Sequence, residues 1–177
     1  MAETSLRYST LLFDWGDTVM RDHPELLIPM VEWNTIEVVE GIAEVLAYLH
    51  DSGRCIMLAT SAAISDESQI RGALGRVGLD TYFSHIYCFK NTHLPKGEDF
   101  YRHILNHLCV SPSDVLMVGD GFEKDVKAAN AVGIFCGSTP VQTKRARAIY
   151  ILLSIRCRSC VHSSSLWIKS SLSVISP

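Results

Sequence analysis

Five short apolar runs, each separated from the next by a stretch of helical spacing, govern what this chain can become. The runs are Tyr8 to Phe13, CIMLA (55–59), HIYCF (85–89), VLMV (115–118) and a last one starting at Ile134. CIMLA is continuously apolar, so it reads as a buried strand of a parallel sheet. Between them, residues 37–50 set Val38, Val39, Ile42, Val45, Leu46 and Leu49 at helical spacing, with Gly53 behind them as a stop. A second helix is predicted over 66–77, capped by Asp66, with Ile70, Leu74 and Val77 inward and Gly78 as terminator. A third carries Phe100, Tyr101, Ile104, Leu105 and Leu108, and a fourth spans 123–131 before Gly133.

This alternation predicts an α/β fold: a three-layer Rossmann-like domain over residues 1–136 with a five-stranded parallel sheet. Ligands of such sheets sit beyond the carboxyl ends of the strands. Asp14, Thr60 and Asp120 each stand at such an end, on three different strands. Taken singly, Asp14 and Asp120 read as turn or cap residues, Thr60 as an N-cap, Asp125 as a solvated helix residue and Lys96 as a surface lysine. Taken jointly they crowd acids into one crevice, where like charges need a cation to stay ionised. A hard divalent ion with oxygen ligands, Mg²⁺ in particular, suits such a set. Thr60 and Ser61 offer hydroxyl and backbone N–H groups to a phosphate. A carboxylate nucleophile, a metal, a lysine and a hydroxyl together describe phosphoryl chemistry.

Charge is distributed unevenly. Residues 1–137 hold 10 Lys and Arg against 19 Asp and Glu, while residues 138–177 hold 6 basic residues and no acid. The acidic part argues against nucleic acid as a partner. The first ten residues lack the apolar core of a secretory signal, and the run AIYILLSI (148–155) is too short to span a bilayer, so no membrane partner is expected. Six scattered cysteines suggest reduced thiols and a cytoplasmic location. The lone CxxC of Cys157 and Cys160 is weak evidence for zinc.

With these residues in view, the chain over 8 to about 136 resembles the haloacid dehalogenase (HAD) superfamily of hydrolases. The family's first motif, a strand ending in Asp-x-Asp-Gly-Thr, stands here as Asp14-Trp15-Gly16-Asp17-Thr18. Its second, a strand ending in Thr or Ser, is matched by Thr60. Its third, a lysine before a helix, is matched by Lys96, and its fourth, Gly-Asp with a further Asp, by Gly119, Asp120 and Asp125. The resemblance implies an Mg²⁺-dependent phosphatase with Asp14 as the nucleophile that becomes an aspartyl-phosphate. Asp14, Asp120 and the carbonyl of Gly16 would hold the metal, with Asp125 steadying its water shell or pairing with Lys96. Thr60 would bind the phosphoryl group of a phosphorylated substrate, and Lys96 would bridge that group to Asp14.

The motif also departs from the family pattern. The second acid, which protonates the leaving group and later activates water, normally lies two residues after the nucleophile. That position is Gly16, and the acid has moved on to Asp17. A missing general acid–base costs about 10²–10⁴ in rate, so low efficiency is expected, with Asp17 as the remaining catalytic candidate. A catalytically silent binding protein is the principal alternative. A dehalogenase is disfavoured, because such members usually carry a cap.

No cap domain fits between Asp14 and Thr60 or between Thr60 and Lys96, which makes this a capless or minimal-cap chain. His23, Trp33 and Asn34 are expected on the rim of an open crevice, which suggests either a phosphate on a bulky substrate or a partner or second copy that closes the site. Residues 137–177, with ten serines from 138 onward, show neither helical nor strand period. They read either as a basic tail for an acidic partner or as translation in a shifted frame. The second is favoured, because Cys136-Gly-Ser-Thr-Pro is compatible with an alternate-frame Trp-Phe-Asn-Pro, and a poorly ordered tail is expected.

Overall fold

The computed structural model describes residues 8–136. The readings of the Ser-rich tail, its CxxC pair and its reading frame fall outside the described residues. Within them, strands β1 (Thr10–Phe13), β2 (Cys55–Ala59), β3 (His85–Tyr87), β4 (Val115–Val118) and β5 (Phe135–Cys136) form one sheet in the order β3-β2-β1-β4-β5. Every neighbouring pair is parallel, as the strand–helix alternation predicts.

Side chains alternate between the two faces of a strand, and here both faces are covered. Leu11, Phe13, Ile56, Leu58, Ile86 and Leu116 pack with helices α1 (Ile42–Asp51) and α2 (Glu67–Arg76). Leu12, Met57, Tyr87, Val115 and Met117 pack on the opposite side, against α4 (Glu98–Leu108) and α5 (Ala128–Ala131). A single-turn helix, α3 (Phe89–Thr92), follows β3. Burial of each large aliphatic or aromatic side chain contributes about 1.5–3 kcal/mol, so these two layers rather than the short strand ladders dominate stability. No cap domain is present among the described residues.

Three elements differ from the periodicity, each for a local reason. The helix expected from residue 37 starts at Ile42, because residues 37–39 pair with the loop after β1. Met20 bridges Val38, Arg21 N–H donates to the Glu37 carbonyl (2.8 Å), and Val39 N–H donates to the Val19 carbonyl (2.9 Å). Gly41 then turns the chain at φ 80°, a left-handed conformation that favours glycine. β3 stops at Tyr87 rather than 89, because Asn91 accepts the Cys88 N–H (2.9 Å) and donates to the Ile86 carbonyl (2.7 Å), winding the chain into α3. The helix expected over 123–131 is a π-turn, Phe122–Lys127, running into α5. Asp66 caps α2 in a reciprocal box with Gln69, as predicted.

Candidate active site

Chain direction in the sheet diverges from β1: β2 and β3 lie to one side, β4 and β5 to the other. The switch point is therefore the carboxyl end of β1 beside β4, where open α/β sheets bind their ligands. Register makes the strands end level, since Phe13 pairs with both Leu58 and Val118. Asp14 follows immediately, its N–H donating to the Val118 carbonyl (2.8 Å), and Thr60 is fixed by its N–H to the Tyr87 carbonyl (2.9 Å). Thr60 caps no helix, because α2 begins seven residues later on Asp66. Its Oγ1 instead accepts the Ala62 N–H (3.1 Å) in a loop that lines the cleft with Ser61.

Lys96 reaches this point from the loop before α4, its side chain only 1% exposed. Its Nζ donates to Asp14 Oδ1 at 2.7 Å and stands 2.5 Å from Asp125 Oδ1 in an ion pair that lacks hydrogen-bond alignment. Neither the surface reading of Lys96 nor the solvated reading of Asp125 survives. One ammonium thus serves two carboxylates, Asp125 buried and Asp14 partly buried. Burial pushes the Asp14 carboxyl up to about 6, Asp125 adds repulsion, and Lys96 pulls the other way.

Asp120 completes the group. Asp14, Asp120 and Asp125 each present a carboxylate oxygen within 4.8 Å of the others. Three hard oxygen donors converging beside the single ammonium of Lys96 fit the ligand preference of Mg²⁺. The π-turn carries this arrangement, as such turns often do at functional sites. Tyr101 Oη donates to the Lys124 carbonyl (2.9 Å), and Gly121 N–H donates to Asp125 Oδ2 (2.8 Å).

Gly119 has a steric reason to be glycine. A Cβ there would fall inside the van der Waals envelope of Asp125 Oδ2 and Cγ. Gly119→Ala should therefore displace the Asp125 carboxylate and destabilise the fold by about 1–3 kcal/mol, the range for overpacking a filled interior. Urea titration measures it, and a midpoint unchanged from wild type would show that Asp125 relaxes freely.

The loop after Asp14 is tightly wound. Trp15 accepts backbone N–H bonds from Val19 (3.0 Å) and Met20 (2.9 Å), and Asp17 donates its N–H to the Met20 carbonyl (2.6 Å) from a left-handed φ of 52°. Asp17 is exposed and lines the cleft along with Asp14 and Gly16. The cleft measures about 390 Å³, in the range of small-molecule sites.

Of the expected rim residues, His23 and Trp33 line the cleft. Trp33 is buried, its Nε1–H donating to the Ile28 carbonyl (3.0 Å), and His23 packs edge-on against it. Asn34 does not line the cleft: its carbonyl is tied to α2 by Arg76, which also binds the carbonyls of Val31 and Trp33. The sequence reading missed Asp22, Lys124 and the exposed apolar wall of Leu26, Leu27 and Ile28, all of which line the cleft. No spacing rule marks them, although a third acid shortly after the motif was visible.

A parallel sheet with acids, a buried lysine and a hydroxyl at its switch point defines a Rossmann-like α/β scaffold with a polar cleft at its carboxyl edge. The sequence model of the haloacid dehalogenase-like hydrolases matches residues 16–133, and the chain belongs to that family. Among solved structures it is similar to an uncharacterized protein from Listeria monocytogenes serotype 4b (19% identity, TM-score 0.69, covering 82% of this chain and 97% of that one). It is also similar to a HAD-superfamily hydrolase of subfamily IA from Geobacter sulfurreducens (17%, TM-score 0.61, 86% and 100%) and to a HAD phosphatase from Thermococcus onnurineus (17%, TM-score 0.59, 76% and 90%). No curated protein sequence matches it. Among the described residues, no helix is long and apolar enough to cross a membrane.

Proposed function

We propose that the chain is an Mg²⁺-dependent phosphoric monoester hydrolase working through an aspartyl-phosphate on Asp14, with residues 1–136 as its catalytic unit. The observation that carries this reading is the pairing of Lys96 with both Asp14 and Asp125 at the switch point. Lys96 orients the Asp14 carboxylate and holds it ionised for attack, and its charge also attracts the phosphoryl group. Thr60 and Ser61 bind phosphoryl oxygens through hydroxyl and backbone N–H groups. Asp14, Asp120, Asp125 and the carbonyl of Gly16 would hold Mg²⁺. The ion would supply positive charge against the phosphoryl oxygens and keep the acids ionised together. The free state of Cys55, Cys88, Cys109 and Cys136 supports a reducing, cytoplasmic setting.

Gly16 leaves the usual acid–base position without a carboxylate of its own, so turnover on esters with poor leaving groups depends on an acid supplied from elsewhere in the cleft. The same glycine favours a second reading, a silent HAD-like binding protein. Hydrolysis of p-nitrophenyl phosphate separates the two. With Mg²⁺ the chain should release p-nitrophenol and melt at a higher temperature, and EDTA should remove both effects. A thermal shift with no turnover on any phosphate ester would favour the binding protein.

A further inference from the structure

We propose that Asp22 is the general acid and base of this site, filling from the loop the space that a side chain at residue 16 would occupy. The inference rests on the phosphatase reading above. A Cβ built on Gly16 would lie 3.2 Å from both Cβ and Oδ2 of Asp22 and 3.3 Å from its Cγ. The glycine is thus covered by a carboxylate belonging to another residue. Asp22 and Asp14 line the same cleft.

The backbone explains how residue 22 returns over residue 16. The bonds from Val19 and Met20 to the Trp15 carbonyl, the Asp17–Met20 bond and a bridge between Gly16 and Met20 wind residues 15–20 into a compact loop. The Met20–Val38 bridge and the Arg21–Glu37 bond then fix the exit. Asp22 Oδ1 accepts the His23 N–H at 2.9 Å, which orients the carboxylate. Oδ2 has no hydrogen-bond donor among the described residues, which leaves it available for proton transfer. Asp17 shares the cleft, but Asp22 is the acid packed at residue 16.

Two steps follow. An Asp14 oxygen attacks phosphorus as the bond to the ester oxygen breaks, and the protonated Asp22 gives its proton to that oxygen, releasing the alcohol and leaving an aspartyl-phosphate. The Asp22 carboxylate then takes a proton from a water whose oxygen attacks phosphorus. The bond to Asp14 breaks, phosphate departs, and Asp14 and protonated Asp22 are restored. The sum is ester plus water giving alcohol plus phosphate.

Leaving-group dependence tests the assignment. kcat/KM reports the first step, in which p-nitrophenolate needs little protonation and an alkoxide needs much. Asp22→Asn should lower kcat/KM about 10²–10⁴-fold on an alkyl phosphate such as glycerol phosphate and less than about tenfold on p-nitrophenyl phosphate. The second step slows for both, so p-nitrophenol should appear as a burst before a slow steady state. The melting temperature should not move, because Asp22 is exposed. The swap Gly16→Asp with Asp22→Gly, which opens the space at residue 16, should recover at least tenfold of the alkyl phosphate rate. Equal losses on the two esters, no loss at all, the same signature from Asp17→Asn instead, or a folded swap with no recovery would each overturn the role of Asp22 while leaving the phosphatase reading intact. A wild-type protein inactive on both esters overturns both readings.

Discussion

Lys96→Met should destabilise the domain severely. It removes the ammonium that lies 2.7 Å from Asp14 Oδ1 and 2.5 Å from Asp125 Oδ1, leaving a buried and a partly buried carboxylate side by side without it. Stranding buried charge in this way costs about 3–5 kcal/mol, a large share of the 5–15 kcal/mol or so that a domain possesses. Urea unfolding at pH 7 without Mg²⁺ would measure the loss. The deficit should shrink on acidification, beginning above pH 6, because Asp14 already titrates near 6 with Lys96 present and titrates higher without it. A variant within about 1 kcal/mol of wild type at pH 7 would show that water, rather than Lys96, balances these acids.

Asp14→Asn should do the opposite to stability while abolishing turnover. The Asp14 pKa rises from 3.8 to about 6 on folding, so between these values the folded state binds a proton that the unfolded state has released. The contribution of Asp14 is fully present below pH 3.8 and is lost as pH rises through 6, where burial of the ionised group opposes folding. The asparagine is permanently neutral and escapes that penalty, and Lys96 keeps Asp125 as its partner. Without Mg²⁺ at pH 7 the variant should therefore be more stable than wild type by about 1–2 kcal/mol, with the gain vanishing near pH 4. Mg²⁺ should reverse the order by stabilising wild type far more than the variant. An asparagine variant that melts below wild type in EDTA at pH 7 would mean that the carboxylate is held more favourably than its burial implies. On the proposed chemistry, the Asp14 prediction describes a nucleophile kept at some cost to the fold, a common trade.

What was legible in the sequence was whatever depends on runs of residues. Strands buried on both faces must be apolar throughout, so VLMV and CIMLA identified themselves, and the polar residues just past Phe13, Ala59 and Val118 followed. Helix ends marked by Asp66, Gly78 and Gly133 were readable because capping and left-handed stops are local chemistry. What failed were places where an equally local interaction outcompeted periodicity. Val38 and Val39 fit the spacing of α1 yet belong to a bridge with the loop after β1. Phe89 extends an apolar run yet begins a helical turn that Asn91 caps. The site was legible as a set of residues on strand ends, and the resemblance gave Lys96 its place beside Asp14 and Asp125; the depth of their burial was not legible. Nothing local says that Asp125 is 2% exposed rather than solvated. Asp22 was hidden because its nearness to Gly16 comes from a compact irregular loop, which has no repeat to detect.

The pinch formed by the Met20–Val38 bridge and the Arg21–Glu37 bond has a consequence for how such a scaffold diversifies. It staples the two feet of the segment 21–37 together, so everything between them forms a closed loop whose entry and exit do not depend on its contents. Lengthening a loop with joined ends costs only about 0.6 kcal/mol per doubling. New chain inserted near the exposed Leu27 (80% accessible) would rise above the cleft without passing strain to β1 or α1. The root of this loop is thus a grafting point, where a roof can be acquired, enlarged or lost while the level strand ends beneath it stay as they are.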